Sequence, residues 1–276
     1  MSAEQANSDS TKPKDILIGV GILCLISLGT YWLFSTSLYE LRWNDLWTYR
    51  QPLLSGWLVS LQIAVIALVL STIIGLLVIV GYRSRFAPIR IFFRIYVEFT
   101  RGMPLIAQIY FAMYVVSPRL TTLVRSGEGF FAEFLRFTNI DFGNPYIVGV
   151  AVLSSFSGAY LGEIFRGGVE SIPSSQLEAA RAVGFSRFQI GRYIIAPQAM
   201  RRVLPGVAGQ LANLVKDSSL LHIIAVYEIT YQVQGVAANA AMTLEAYAFL
   251  AVAYLAVTLP IFWISRRLER RFAYVS

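Results

Sequence analysis

The sequence predicts an all-α, polytopic membrane protein, and three observations carry that expectation. Apolar residues make up 56% of the 276-residue chain and charged residues only 14%, well under the roughly 25% usual in soluble domains. Apolar runs recur along the whole sequence at the length that crosses hydrocarbon, about 20 helical residues for about 30 Å. Basic residues collect in the short segments between those runs, the pattern of membrane proteins that keep lysine and arginine on the cytoplasmic side.

Taken in order, residues 1–15 read as a polar cytoplasmic tail with no apolar core. A first span follows at Ile16–Phe34; without a small-residue cleavage site, and with more spans behind it, it is expected to be retained rather than removed as a signal peptide. The second stretch, from about Leu53 to Gly81, is long enough for a tilted helix. A third runs from about Ile91 to Val116, a fourth covers Tyr146–Phe165, a fifth about Val203–Tyr227 and a sixth Ala246–Ile264. Residues 117–145 form an extracytoplasmic loop, in which Gly127, Glu128 and Gly129 precede an amphipathic surface helix at Phe130–Phe137.

The formal charge of +7 would suggest nucleic acid in a soluble protein, but here it is read as topology, and no nucleic acid partner is expected. With the amino terminus inside, the cytoplasmic segments hold seventeen of the basic residues and the outer segments five, with Lys216 left within a span. Both termini are therefore expected in the cytoplasm. Cys24 is the only cysteine, so neither a disulfide nor a cysteine metal cluster can form within one chain, and no metal site is expected.

One inner loop, 166–202, is too long for a tight turn and too patterned for a linker. Ser175-Gln176-Leu177-Glu178 fits a capping box. The helix it opens runs through Ala179, Ala180 and Arg181 and stops at Gly184, which can take the left-handed conformation of a helix end. Ser186 can cap a second helix, Arg187 to Ile195, ended before Pro197. A two-turn helix is marginal alone in water, so the first needs tertiary support or a partner surface. Two short helices about a glycine resemble a DNA-binding helix-turn-helix, but this pair is clamped between membrane spans; a purely structural loop is the plainer alternative.

Charges inside the spans form the second candidate site. A charge at the bilayer centre costs at least about 2.5 kcal/mol, so it needs a partner or a watery cavity. Lys216 and Asp217 fall near the middle of the fifth span and, being adjacent, point about 100° apart. Gly206, Gly209, Gln210 and Asn213 make one side of that span small and polar. The fourth span has a matching strip, Ser154, Gly158 and Gly162, with Ser157 and Glu163 beside it, as where helices pack closely or line a cavity. Arg101 can pair with Glu98, three residues earlier, and Gly102 with Pro104 should break that helix. An intramembrane serine protease using Ser157 and His222, the only histidine, is opposed by their positions and by the lack of G-x-S-x-G.

Glu178-Ala179-Ala180, Gly184 and Ile195-Ala196-Pro197-Gln198-Ala199 resemble the cytoplasmic EAA signature of permeases in ATP-binding-cassette importers. Arg101-Gly102-Met103-Pro104-Leu105, Glu163-Ile164-Phe165-Arg166-Gly167-Gly168 and Leu214 to Leu220 are similar to segments of the polar-amino-acid branch (histidine, glutamate, glutamine or arginine uptake). The resemblance covers about Gly56 to Arg271. Two departures are Ala196, where leucine is common, and Met103, where threonine is common.

The resemblance implies a five-helix type I importer core over 53–271 plus one extra N-terminal transmembrane helix at 16–34. It implies an inner-membrane, multi-pass subunit without enzymatic activity. The helix with Glu178, Ala179, Ala180, Arg181, Gly184 and Pro197 would couple to a separate ATP-binding subunit, expected as a homodimer. A second permease subunit, identical or paralogous, and an extracytoplasmic amino-acid-binding protein complete the set. No cofactor is expected on this chain: it lacks G-x-x-x-x-G-K-[ST], and ATP would sit on the partner. Arg101, Ser157, Glu163, Lys216, Asp217 and Ser218 are the residues expected along the path of a zwitterionic amino acid, the alternative being that the charged ones only form ion pairs between spans and touch no substrate. The remaining transport alternative is an ion-driven carrier acting as a single chain.

Overall fold

The computed structural model describes residues 41–127 and 129–273, together with positions 20–22, 24, 25, 28 and 29. The tail expected at 1–15 and the span expected at Ile16–Phe34 lie outside the described residues, apart from those few helical positions. The chain divides into two compact units, Met1–Arg42 and Trp43–Ser276, and every helix labelled below belongs to the second.

A short α1 (Trp43–Leu46) and one 3-10 turn (Trp47–Tyr49) lead into α2 (Arg50–Tyr82), 33 residues long. Its sequence is apolar all round, which suits a helix surrounded by other helices and lipid. Gly56, Ser60, Ile63, Ala67, Ser71, Gly75 and Val78 recur at three- and four-residue spacing on its buried face. Next comes α3 (Ala87–Gly102), closed by Met103 in extended conformation before Pro104, since the residue before a proline avoids the helical region. Gln108 repairs the break: its amide nitrogen donates to the carbonyls of Thr100 at 2.8 Å and Met103 at 3.0 Å.

Beyond the break, α4 (Leu105–Phe111) continues through a π turn, Ala112–Val116, into α5 (Ser117–Ser126). The third span expected at Ile91–Val116 is thus split at Gly102–Pro104 and prolonged to Ser126. The surface helix expected at Phe130–Phe137 is α6. Asn144 caps α7 (Pro145–Glu170), its side chain accepting from the amide of Tyr146, with Pro145 in the first turn. The inner loop holds α8 (Ser174–Ala182) and α9 (Arg187–Gln189). A π turn, Ile190–Ile195, then runs into α10 (Ala196–Asp217), which a 3-10 turn, Ser218–Ile224, follows. Finally come α11 (Ile229–Ala240) and α12 (Thr243–Ala273).

Among the described residues three helices are long and apolar enough to cross a membrane unbroken: Trp43–Tyr82, Pro145–Glu170 and Thr243–Arg271. Glycine lets α7 press against α2. A Cβ on Gly158 would stand 2.6 Å from Ile74, one on Gly162 2.6 Å from Val78, and one on Gly75 3.0 Å from Leu161. On its other side α7 meets α10 in the same way, Gly168 against Val203 and Gly206 against Ile164. The strip Ser154, Gly158 and Gly162 therefore serves close packing, the usual role of small residues where lipid supplies no hydrophobic drive between helices.

Candidate functional site

The inner loop folds as a two-helix projection between α7 and α10. Its first helix begins at Ser174 behind Pro173, with no side-chain cap. The capping box expected at Ser175 and Glu178 does not form. Pro173, extended and without an amide, takes the cap position two residues earlier, so Ser175 falls inside the first turn and Glu178 out of register. The stop is as expected: Gly184 has φ +85°. The amide of Phe185 donates to the Ala180 carbonyl and that of Gly184 to the Arg181 carbonyl, both at 3.0 Å. Those two bonds make a Schellman end.

Ser186 carries the capping box of the loop. Its hydroxyl accepts from the amide of Gln189, whose side chain accepts from the amide of Ser186 at 2.7 Å. The helix it opens does not end before Pro197. The widened π turn runs straight into α10, and Pro197 sits in the first turn of α10, where a missing amide is harmless because the regular ladder is already interrupted. Ala180 is buried, while Glu178, Ala179, Arg181, Gly184 and Pro197 are exposed. Val183 is 74% exposed, Phe188 73% and Tyr193 63%, an unusual amount of bare apolar surface for so short a segment. The projection is braced at its base: Gln198 donates to Gln176 at 2.7 Å, and Arg202 donates to the Ser171 carbonyl.

The intramembrane charges separate into two groups. Arg101 does not pair with Glu98. Its guanidinium lies 3.5 Å from Glu163 and 5.1 Å from the ring centre of Tyr160, because α3 crosses α7 at this level. Glu163 also binds Arg166 at 2.8 Å, and Arg166 reaches Glu170 at 2.6 Å. This network borders a cavity of about 540 Å³ between α2, α3 and α7, with Tyr82 on its wall. Lys216 and Asp217 do not line it. They occupy the last two positions of α10, where the helix gives way to the 3-10 turn at Ser218, so the run expected as one fifth span changes helix type beside them. The ammonium of Lys216 lies 5.4 Å from the ring centre of Phe262 on α12. Ser218 is buried and donates to the Val215 carbonyl, which ties it to the helix end. Ser157 is fully buried, and its hydroxyl has no hydrogen-bond partner among the described residues.

Two buried acids, Glu228 and Glu245, were missed by sequence reading. Glu228 is 0% exposed and caps α11, accepting from the amide of Tyr231 at 2.9 Å. Ser60 on α2 donates to it at 3.2 Å and the Tyr254 hydroxyl on α12 at 3.4 Å, so one carboxylate joins three helices. The readable signal was its place directly before the apolar-periodic Ile229 to Val236, where a capping side chain belongs.

Residues 72–274, from the middle of α2 through α12, match the family described as the binding-protein-dependent transport system inner membrane component. The chain belongs to that family. Among relatives of this permease is the glutamine transport system permease protein GlnP of Escherichia coli, 34% identical over 234 residues, covering 84% of this chain and 98% of that one. The probable glutamine ABC transporter permease protein GlnM of Bacillus subtilis is 31% identical over 223 residues, covering 79% and 94%. A crystal structure of an amino acid ABC transporter with histidines has the same fold: TM-score 0.70 at 24% identity, covering 84% of this permease and all of that chain. An inward-facing MetNI methionine ABC transporter aligns at TM-score 0.57 and 18% identity. Membership in a binding-protein-dependent family leaves the single-chain, ion-driven carrier without support.

Proposed function

We propose that the permease forms the membrane path of an importer for a polar amino acid, driven by ATP hydrolysis on a separate subunit. The observation that carries this reading is the projection Ser174–Ile195. It is stiffened by a Schellman end and a capping box, bare and apolar at its tip, and continuous at its base with α7 and α10. A groove on an ATP-binding subunit would receive that tip through Ala179, Val183 and Phe188, with Glu178 and Arg181 at the rim. Closure of the ATP-binding homodimer then pushes on α7 and α10, which pack on each other and on α2.

The relatives that carry glutamine transport names support a polar amino acid as cargo. On this reading Lys216, Asp217, Ser218 and Ser157 lie along the path, and the ion pairs of Glu163 with Arg101 and Arg166 close its arginine-rich end. An extracytoplasmic binding protein delivers the amino acid, and a second permease subunit, identical or paralogous, completes the core in the lipid bilayer. No cofactor resides on this chain, since ATP is held by the partner. Both termini and the projection face the cytoplasm, as the distribution of arginine and lysine favours.

Proteoliposomes containing the permease, its ATP-binding subunit and the binding protein test the proposal. Uptake of labelled amino acid is expected only with enclosed ATP and with all of these proteins, together with the second permease subunit where it is a paralogue. Uptake by the permease alone, driven by an ion gradient, would overturn it.

A further inference from the structure

Beside the ion pairs of Glu163, the cavity next to α3 holds three charges that the transport reading does not use, those of Arg83, Arg94 and Glu98. Four guanidinium groups, those of Arg83, Arg94, Arg101 and Arg166, face the carboxylates of Glu98, Glu163 and Glu170. Arg166 engages both Glu163 and Glu170, and Arg101 shares Glu163. Arg83 and Arg94 have no carboxylate within 4.0 Å among the described residues, and neither has Glu98 an ion-pair partner there. A net charge of one positive unit is left over, and it sits on the Arg83 and Arg94 side.

The outer face of α3 says what lies next to this charge. Ile91 is 53% exposed, Phe92 63%, Ile95 59% and Phe99 61%. Arg94 and Arg101 occupy the flank between that face and the helix side buried through Val97 and Thr100, and Arg83 joins them from the end of α2. A helix bare and apolar on one face and cationic on the next lies where acyl chains meet headgroups. Basic pockets at that depth attract anionic headgroups, each Arg or Lys near the surface contributing about 1 kcal/mol. The volume, about 540 Å³, falls within the range of small-molecule sites, roughly 300–1,000 Å³.

We propose that this cavity binds the headgroup of an anionic phospholipid, its phosphate on Arg83 and Arg94 and its acyl chains along Phe92, Ile95 and Phe99. Glu98, the unpaired carboxylate, repels the phosphate and confines it to the Arg83 side. The net positive charge selects an anionic over a zwitterionic lipid. The site depends on the bilayer alone, so it stands apart from the identity of the cargo.

The test uses the full-length chain purified in detergent and titrated with short-chain phosphatidylglycerol, with phosphatidylcholine, or with inorganic phosphate, binding being read by native mass spectrometry. Phosphatidylglycerol is expected to bind more tightly than phosphatidylcholine. Arg83→Gln with Arg94→Gln should weaken it roughly 30-fold, the loss of two such charge contacts. Arg83→Lys with Arg94→Lys should keep most of the affinity, and Arg119→Gln with Arg125→Gln on α5 all of it. Equal phosphatidylglycerol binding by the glutamine variant, equal binding of both lipids, or displacement of the lipid by inorganic phosphate would each overturn the proposal. Should the double glutamine variant fail to fold, Arg94→Gln alone is expected to lose about fivefold, and an unchanged affinity there overturns it equally.

Discussion

Glu228→Ala removes the acceptor that joins α2, α11 and α12. The part-buried amide of Tyr231 loses its capping partner at 2.9 Å, and a donor left unsatisfied away from water costs about 1–3 kcal/mol. Deleting the one buried side-chain methylene adds about 1 kcal/mol. The two hydroxyls suffer less. The single Ser60 hydroxyl hydrogen can turn to the Gly56 carbonyl while its oxygen accepts from the Ile229 amide, each at 3.2 Å, and Tyr254 keeps Thr230 at 2.9 Å. The expected loss is therefore about 3 kcal/mol, or roughly 6–12 °C in melting temperature at about 2–4 °C per kcal/mol for a chain of this size. Glu228→Gln keeps an oxygen for the Tyr231 amide, and its NH₂ can donate to either hydroxyl, which can turn to accept. Its loss should stay under about 1 kcal/mol. Melting in detergent, followed by tryptophan fluorescence, distinguishes the two. Equal melting temperatures for Glu228→Ala and the parent chain would refute the clasp.

Further outcomes follow from the same geometry. Gly162→Leu drives a side chain into Val78, since even its Cβ would stand 2.6 Å from that residue; a loss of about 1–3 kcal/mol is expected, part of which Val78→Ala recovers in the double variant, as melting curves would reveal. Gly184→Val forces a β-branched residue to φ +85°, at a local cost of at least about 1–2 kcal/mol. Membrane insertion should be normal, transport-linked ATPase activity should fall, and Gly184→Asn should retain most of it. Lys216→Ala and Asp217→Asn, tested singly in the assembled complex, should weaken amino-acid uptake without lowering the melting temperature by more than a few degrees. Full uptake by both would remove those residues from the path.

The sequence revealed most where the backbone leaves a residue little choice. Gly184 at the end of an alanine-rich turn, and Pro104 after Gly102, are positions at which few residue types tolerate the conformation required, so both breaks could be placed in advance. The start of α8 was misplaced because two signals compete there, and Pro173 acts two residues before Ser175. The end of α10 was hidden for another reason. Residues 203–227 read as one apolar run, yet the helix stops at Asp217 and Ala225 turns left-handed at φ +59°. Alanine has no preference for that conformation, so packing must impose it. The pairing of Arg101 with Glu163 was invisible for want of long-range information, and local spacing favoured Glu98. Glu228 falls just past the fifth span expected from the sequence, and nothing in its neighbours announces Ser60 or Tyr254.

The central claim is that the projection at Ser174–Ile195 meets the ATP-binding subunit. Photocrosslinking tests it most directly, with benzoylphenylalanine placed at Ala179, at Val183 and, as a control, at Phe137 on α6, which is 90% exposed. Adducts with the ATP-binding subunit are expected from the first two positions and none from the third. Adducts from Phe137 alone, or none from Ala179 and Val183 in a complex that transports, would contradict the account.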